Sequence, residues 1–304
     1  MKTKIVAIIT MFLMMVQSCI TGWSKERVSS APTNGFFDEI KEKNITLSSG
    51  VQLSYVEEGD KAGVKIIFLH GYTDSWHSFE NVVKLFPKEY HLIAISLRGH
   101  GNSSKPENGY DAKHFAVDVA MFIKQKQLGP CILVGHSMSG LIVQQFALDY
   151  PYLTQSIVIV SSDAYFKNNP GTSRFLRETL TINDPIERNF VDNFQRSTLA
   201  NPINPSDLQL YVNESMKVPA NAWRKIAHMH LTTDYRKSEE KIKCPALIIC
   251  GSNDSICPRD DQRKMAQTIP NSKLLIYADT GHALHWEKPQ RFIQDIINFA
   301  KRNE

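Results

Sequence analysis

Cys131-Ile132-Leu133-Val134-Gly135-His136-Ser137-Met138-Ser139-Gly140 is the stretch that decides the fold. Its first four residues form a short apolar run with β-branched side chains, which predicts a strand that is buried on both faces. Residues 141–151 then carry apolar side chains at helical spacing and end at a proline, which predicts a helix. Ser137 therefore lies on a tight turn between a buried strand and a helix.

This strand, turn and helix resemble the nucleophile elbow of the α/β-hydrolases, in which small residues let strand and helix approach closely and leave the serine hydroxyl exposed. The resemblance implies that Ser137 is the nucleophile and that its backbone is strained. The family pattern is Gly-x-Ser-x-Gly, whereas this chain has Ser139 at the fifth position and Gly140 one residue later. Because serine is small, we expect the close packing to survive.

Two later segments resemble the other catalytic loops of this family. Gly251-Ser252-Asn253-Asp254-Ser255-Ile256-Cys257-Pro258 matches the Gly-x-x-Asp-x-x-x-Pro turn that carries the acid, which implies Asp254. The step Gly281-His282, followed by Glu287-Lys288-Pro289, resembles the histidine loop and implies His282 as the base. The order serine, aspartate, histidine is also the order of the α/β-hydrolases.

Two alternative assignments stay open at this stage. Asp163 directly follows the predicted sixth strand, a place from which some relatives take their acid. His285 is close to His282 in the sequence and is an alternative base. An aspartate at the elbow would be needed for a haloalkane dehalogenase or an epoxide hydrolase, and Ser137 excludes both.

The resemblance also implies an oxyanion hole, which is a pair of N–H groups that bind the developing negative charge on the substrate oxygen. His70 and Gly71 follow a predicted buried strand at residues 64–69. In this family the residue after the His-Gly pair supplies one N–H group, and the residue after the nucleophile supplies the other. These residues are Tyr72 and Met138, and we expect His70 itself to have a structural role.

The parallel-sheet pattern is interrupted between residues 163 and 238 by polar helical segments that are separated by turns containing proline. This region resembles the helical cap that many α/β-hydrolases insert after the sixth strand and that shapes the substrate pocket. Our candidates for the pocket are Gly71, His136 and Trp223. Three cap residues are further candidates, and for them and Trp223 packing within the cap is the alternative: Phe190, Phe194 and Met216.

The fold class is therefore predicted as α/β, with a mostly parallel eight-stranded sheet and helices on both faces. The hydrolase core is expected at residues 43–162 and 239–304, with the cap at residues 163–238. Residues 97–103 are similar to the family's Asp-x-Arg-Gly-x-Gly-x-Ser loop, with Ser96 at the aspartate position. We assign this loop a structural role.

The first 18 residues predict a secretory signal peptide. They contain Lys2 and Lys4 followed by an apolar run at residues 5–16, which is too short to span a bilayer comfortably. Cys19 resembles the lipidated cysteine of bacterial lipoproteins, so lipidation, plain cleavage and an uncleaved anchor all stay open. Residues 19–42 are polar and are expected to form a tether. Export to the periplasm or cell envelope follows, with membrane attachment if Cys19 is lipidated.

Composition excludes several classes of function. The chain has 304 residues and a formal net charge of +4 without a clustered basic stripe, so we expect no nucleic-acid partner. Its cysteines lack the paired spacing of a zinc site, and we expect no metal and no cofactor. Cys250 and Cys257 could form a disulfide or remain free thiols. Oligomeric state is not determined by the sequence.

The implied chemistry is hydrolysis of a small carboxylic ester or lactone through an acyl-enzyme on Ser137. The same fold also carries carbon–carbon bond hydrolases, peptidases and cofactor-free perhydrolases, so these activities remain alternatives. A slow-turnover ligand sensor on a hydrolase scaffold is an alternative from a different class.

Overall fold

The computed structural model of the protein describes residues 40–303. The predicted signal peptide, Cys19 and the tether up to residue 39 lie outside the described residues. Within the described range, no helix has the length and apolar character needed to cross a membrane.

One eight-stranded sheet forms the centre of the described chain, in the spatial order β1-β2-β4-β3-β5-β6-β7-β8. The pairs β1–β2 and β2–β4 are antiparallel, and all other neighbours are parallel. The predicted mostly parallel, eight-stranded sheet is thereby confirmed. The strands are β1 (Lys43–Thr46), β2 (Gln52–Gly59), β3 (Lys65–Leu69), β4 (His91–Ser96), β5 (Cys131–His136), β6 (Thr154–Val160), β7 (Ala246–Gly251) and β8 (Ser272–Tyr277).

Ten α-helices accompany the sheet within residues 40–303. They are α1 (Glu80–Leu85), α2 (Ala112–Gln125), α3 (Met138–Asp149), α4 (Pro170–Thr179), α5 (Arg188–Ser197), α6 (Pro205–Met216), α7 (Ala220–Thr232), α8 (Arg259–Thr268), α9 (Leu284–Glu287) and α10 (Pro289–Ala300). Helix α2 begins at an N-cap, where the Asp111 side chain accepts the His114 N–H group.

Both faces of the sheet are buried, as the continuous apolar strands predict. Successive side chains of a strand point to opposite faces, so Ile132 and Leu133 of β5 enter different cores. One core contains residues of α2 and α3, including Phe122 and Phe146. The other contains residues of α1 and α10, including Phe292. Helices therefore cover both faces.

The strand order places a topological switch point beside β3. After β3 the chain moves to β4 on one side, and it then returns to place β5 on the other side of β3. Ligands of open α/β sheets bind outside the carboxyl ends of the strands at such a switch point. The loops after β3 and β5, which carry Tyr72 and Ser137, meet there.

A helical insertion, defined here as residues 166–241, separates β6 from β7 and contains α4 to α7. Helix α4 packs against α7, and α5 packs against α6. Near the end of the insertion, the Tyr235 N–H group donates to the carbonyl of Ala164, which lies just before the insertion, at 2.9 Å. The sequence assigned residues 163–238 to a cap, and the helical insertion overlaps this range.

The four cysteines in the described range are free thiols: Cys131, Cys244, Cys250 and Cys257. Cys250 and Cys257 are therefore free thiols in the structure and do not form a disulfide.

Gly135 provides a test of the contact between β5 and α3. A Cβ atom at this position would lie 2.3 Å from the Ser139 carbonyl oxygen and 2.9 Å from Val143 Cγ1. We expect Gly135→Ala to lower the free energy of unfolding by about 1–3 kcal/mol, because backbone must move to relieve the overlap. Chemical denaturation measures this change.

The matched control is Gly171→Ala near the start of α4, where the nearest atom to an added Cβ would lie 3.4 Å away. This variant should be neutral or slightly more stable, since alanine favours a helix over glycine. Equal stability of the two variants would contradict the packing argument.

Candidate active site

Ser137 lies on a strained turn between β5 and α3. Its φ is 51° and its ψ is −113°, a backbone conformation that residues other than glycine rarely adopt. Such strain costs on the order of 1–3 kcal/mol and persists only where the surroundings enforce it. Two hydrogen bonds hold the turn: Ser137 N–H donates to Val160 O and Gly140 N–H donates to Ser137 O, each at 2.8 Å. The predicted strain is present.

The unusual Ser139 has a local explanation. Its hydroxyl donates to the His70 carbonyl at 2.5 Å, which ties the start of α3 to the loop after β3. The glycine that follows supplies the close approach to β6, because a Cβ at Gly140 would lie 2.2 Å from both Cβ and Oγ of Ser162. The departure from the family pattern is therefore compatible with the packing of the turn.

The structure brings Ser137, Asp254 and His282 together. His282 Nδ1 lies 2.9 Å from Asp254 Oδ2, and His282 Nε2 lies 2.8 Å from Ser137 Oγ. An ionised carboxylate only accepts hydrogen bonds, so Nδ1 carries the proton and Nε2 accepts the serine hydroxyl. This is the tautomer that a general base needs in order to deprotonate the serine.

Asp254 is held from its other side by the backbone of its own turn. Its Oδ1 accepts the N–H groups of Ile256 and Cys257, each at 2.9 Å. One carboxylate oxygen is thus fixed by the turn, which leaves the other aimed at His282. The sequence pattern of this turn therefore determines the orientation of the acid.

Asp254, Cys257 and His282 also present a carboxylate, a thiol and an imidazole whose ligand atoms lie within 4.8 Å of one another. Burial raises the pKa of the Cys257 thiol well above its ordinary value, with the nearby carboxylate of Asp254 adding to the effect. A protonated thiol is a poor metal ligand, and the other two groups already bond to each other. The arrangement fits a hydrogen-bond relay better than a metal site.

The two alternative residues have other partners. His285 Nε2 lies 3.1 Å from Ser78 Oγ, and its ring stacks on Phe79 with centroids 4.7 Å apart. The Asp163 carboxylate accepts the Tyr165 N–H group at 3.2 Å. Within residues 40–303, neither residue forms a hydrogen bond with Ser137 or His282, so neither replaces a member of this relay.

The predicted oxyanion residues follow the neighbouring strands β3 and β5. Met138 is the first residue of α3, and Tyr72 is in the loop after β3. Neither backbone N–H group has a hydrogen-bond acceptor among the described residues. His70 fixes the loop, since its Nδ1 donates to Gly71 O and its Nε2 accepts the Leu97 N–H group, at 2.8 and 3.0 Å. The structural role expected for His70 agrees with these contacts.

Of the predicted pocket residues, Gly71 and His136 lie beneath the relay. A Cβ at Gly71 would lie 2.6 Å from His136 Nδ1. His136 Nε2 donates to the His282 carbonyl at 3.2 Å, and burial lowers the pKa of this imidazole well below its ordinary value. A neutral His136 therefore supports the loop that carries His282.

Trp223 lies in α7 and is fully buried. Its carbonyl accepts the Tyr72 hydroxyl at 2.6 Å, and its ring packs on the Tyr72 ring with centroids 4.9 Å apart. Phe190 and Phe194 also contact the Trp223 ring, whereas Met216 lies partly exposed at the surface. Trp223 thus joins the helical insertion to the residue that precedes the strained Thr73.

Sequence reasoning missed a buried polar network beside this contact. Asp74 accepts hydrogen bonds from Gln195 Nε2 at 2.8 Å and from Ser78 Oγ at 3.3 Å. Gln195 Nε2 also donates to Ser215 Oγ at 2.6 Å, and Ser215 Oγ lies 3.0 Å from Thr73 Oγ1. The carboxylate two residues after Tyr72 was the available signal, but nothing in the sequence identifies the other members of the network in α5 and α6.

Asp74 is electrostatically coupled to the relay. Burial raises the pKa of its carboxyl to about 6, while its hydrogen bonds and a positive charge on His282 act in the opposite direction. The attraction between an ionised Asp74 and a protonated His282 is reciprocal. The network therefore connects the insertion, the oxyanion loop and the candidate base.

The relay is enclosed in this conformation. Ser137, Asp254 and His282 expose 6%, 6% and 4% of their surfaces. Two cavities of about 190 and about 210 Å³ are lined by other residues, the first around Glu57 and the second around Leu208. Only a small part of Ser137 is therefore accessible in this conformation.

The model of the alpha/beta hydrolase fold family matches residues 65–289. The AB hydrolase superfamily protein YisY of Bacillus subtilis (strain 168) is 30% identical over 249 residues, which cover 78% of this chain and 92% of YisY. The bifunctional esterase/perhydrolase DCH of Acinetobacter calcoaceticus is 24% identical over 280 residues, with 84% and 99% coverage. An esterase structure from Exiguobacterium antarcticum has a TM-score of 0.78 at 21% identity, covering 86% of this chain and 100% of the esterase.

Two buried carboxylates lie near the ends of the helical insertion. Burial raises the pKa of Asp163 to about 7, and the charge of Asp261 adds to the effect. Burial raises the pKa of Glu239 to about 8, with the charges of Asp163 and Asp234 adding to it. The folded protein therefore keeps protons on these two carboxyl groups at pH values where the unfolded chain has released them. The stability that the two groups contribute at low pH is lost as the pH rises through their raised pKa values.

We expect the double variant Asp163→Asn, Glu239→Gln to be more stable than the parent protein by more than about 1 kcal/mol at about pH 8.5. The gain in the free energy of unfolding should be smaller at about pH 5.5. Urea denaturation at both pH values measures the difference. Glu240→Gln changes the neighbouring exposed carboxylate and serves as the control, with no pH-dependent gain expected. An equal gain at both pH values would contradict the assignment.

Proposed function

This chain belongs to the alpha/beta hydrolase fold family, and we propose that it is a serine hydrolase that cleaves a small carboxylic ester or lactone through an acyl-enzyme on Ser137. The observation that supports this proposal is the continuous relay from Asp254 through His282 to the Ser137 hydroxyl, at 2.9 and 2.8 Å. A serine hydroxyl becomes an effective nucleophile when a positioned base accepts its proton during attack.

In the proposed first step, Ser137 Oγ attacks the substrate carbonyl carbon while His282 Nε2 accepts its proton. The carbonyl oxygen becomes an oxyanion that accepts the N–H groups of Tyr72 and Met138. Asp254 stabilises the imidazolium without accepting the proton. Oxyanion donors of this kind are each worth about 2.7–4 kcal/mol of the activation barrier.

In the second half of the cycle, His282 gives its proton to the departing alcohol, which leaves an acyl group on Ser137. Water then enters, loses a proton to His282 Nε2 and attacks the acyl carbon. Collapse of this second intermediate returns the proton to Ser137 and releases the carboxylic acid. The buried relay limits access by bulk water until the leaving group has departed.

Perhydrolysis is a second candidate, because a relative of 24% identity is named a bifunctional esterase/perhydrolase. In this reaction hydrogen peroxide replaces water as the attacking nucleophile on the same acyl-enzyme, and the product is a peracid. Both reactions would use the same residues, so they differ in the nucleophile that the closed site admits.

We further propose that the helical insertion acts as a cap over Ser137. The hydrogen bond from Tyr72 to Trp223 and the network around Gln195 support this role. Export, with lipid attachment at Cys19, remains our proposal for the location of the protein on the basis of residues 1–19 alone.

Ser137→Ala tests the proposed function directly. We expect purified wild-type protein to hydrolyse nitrophenyl esters with steady turnover and to be labelled by a fluorophosphonate, and we expect the variant to lose both properties. Ser206→Ala, at an exposed serine, should retain both. Retained hydrolysis by pure Ser137→Ala protein would refute the mechanism, and a burst without turnover would favour a ligand sensor.

The location can be tested on the full-length chain expressed in a bacterium with a lipoprotein pathway. We expect mass spectrometry to find a diacylglycerol modification on Cys19 in the membrane fraction, and Cys19→Ala to abolish it. A wild-type chain with an unmodified Cys19 would contradict lipidation.

A further inference from the structure

His230 is a buried histidine of α7 that neither the relay nor the polar network uses. Its side chain is on the same face of the helix as Trp223, which lies seven residues, or about two turns, earlier. The His230 ring packs on Tyr72 at 5.4 Å and on Phe166 at 4.7 Å between centroids. His230 therefore packs against the side chain of Tyr72, whose backbone N–H group is a proposed oxyanion donor.

The backbone determines which nitrogen of His230 carries the proton. Nδ1 lies 2.8 Å from the carbonyl oxygen of Ile226, one helical turn earlier. A carbonyl oxygen only accepts hydrogen bonds, so Nδ1 must donate and Nε2 must carry a lone pair. Nε2 is therefore a fixed hydrogen-bond acceptor.

His230 is also neutral. Burial lowers its pKa to about 4, and the nearby His282 contributes to this lowering. A neutral imidazole does not attract a carboxylate or a phosphate as an imidazolium would. It instead offers a place for an uncharged hydroxyl or N–H group.

Nε2 of His230 has no hydrogen-bond partner within residues 40–303. The enclosed histidine nitrogens without a partner in this range belong to His91, His100, His136 and His285, so His230 Nε2 is not enclosed. The residue as a whole is only 2% exposed, yet Nε2 itself remains accessible. A ligand donor can therefore bind Nε2 without displacing a protein partner.

The surroundings of His230 are otherwise aromatic. Tyr72 and Phe166 contact the ring directly, and Trp223 and Phe194 continue this aromatic cluster on the other side of Tyr72. The Tyr72 hydroxyl donates its proton to the Trp223 carbonyl, and Trp223 Nε1 can only donate. His230 Nε2 is therefore a nitrogen acceptor through which this cluster can recognise a donor.

We propose that His230 Nε2 accepts a hydrogen bond from the acyl portion of the substrate, so that the enzyme prefers esters or lactones whose acyl chain carries a hydroxyl or N–H group. This inference rests on the proposed hydrolysis at Ser137. The acyl portion is assigned because it stays on Ser137 through both halves of the proposed cycle, whereas the alcohol departs after the first half. His230 is thus a specificity-determining residue and takes no part in proton transfer.

The experiment compares paired methyl esters of straight-chain acids, each pair differing by one hydroxyl group on the acyl chain, with kcat/KM measured by pH-stat titration. For at least one pair, wild-type protein should prefer the hydroxylated ester by about tenfold. His230→Phe keeps an aromatic ring but removes the acceptor, and it should abolish this preference. His230→Gln offers an amide oxygen as an acceptor and should retain part of it.

His228→Phe is the matched control, since it makes the same change at an exposed histidine of the same helix and should leave the preference unaltered. Thermal unfolding and fluorophosphonate labelling of Ser137 verify that each variant is folded and competent, and His230→Leu replaces His230→Phe if the latter does not fold. Equal kcat/KM for both members of every pair in the wild type overturns the assignment of His230, as does a preference that survives His230→Phe or His230→Leu. In both cases ester hydrolysis stands. Absence of turnover with all of these esters and of labelling refutes the proposed function as well.

Discussion

The arrangement of this protein depends on a single imidazole that is held between two partners. His282 bonds to Asp254, which lies 28 residues earlier, and to Ser137, which lies 145 residues earlier. Neither hydrogen bond is local, so both require the carboxyl ends of β5, β7 and β8 to be fixed relative to one another. The parallel register of these strands with β6 provides that rigidity. Because the folded sheet already holds the three groups in place, no further conformational entropy is lost in assembling them for the reaction.

Backbone strain is concentrated at the same edge of the sheet. Thr73, Ser137 and Ser161 have positive φ values and follow β3, β5 and β6. Each lies where a loop must turn sharply to leave the sheet, and the buried strands compensate for the cost. Gly135 and Gly140 remove the side chains that would prevent α3 from approaching β5 and β6. The position of Ser137 on a sharp turn is therefore a property of the whole strand–helix contact.

The helical insertion is integrated with the site through polar groups as well as apolar ones. Asp74 binds Gln195, and Tyr72 donates to the Trp223 carbonyl, so two neighbouring residues of the loop after β3 are each tied to a different helix. Movement of the insertion away from the core would have to break or carry along these hydrogen bonds. The same contacts fix the loop that carries the backbone N–H group of Tyr72. The loop after β3 and the helical insertion are therefore physically coupled.

The sequence by itself determined the fold class, the strands and the position of each member of the relay, because these features depend on local patterns: β-branched runs, a serine between small residues, and the turns around Asp254 and His282. It also predicted Tyr72 and Met138 as oxyanion donors, since both are defined by their distance from a motif. Other features were decided only by the tertiary structure. Asp74, Gln195 and His230 carry no local signal, because the partners that bury them come from distant segments. His136 was predicted to line a pocket, and its position beneath the His282 loop became visible only when that loop was folded onto β5. The spacing of residues along the chain predicts local strands, helices and turns, whereas burial and electrostatic coupling depend on which distant segments the fold brings together.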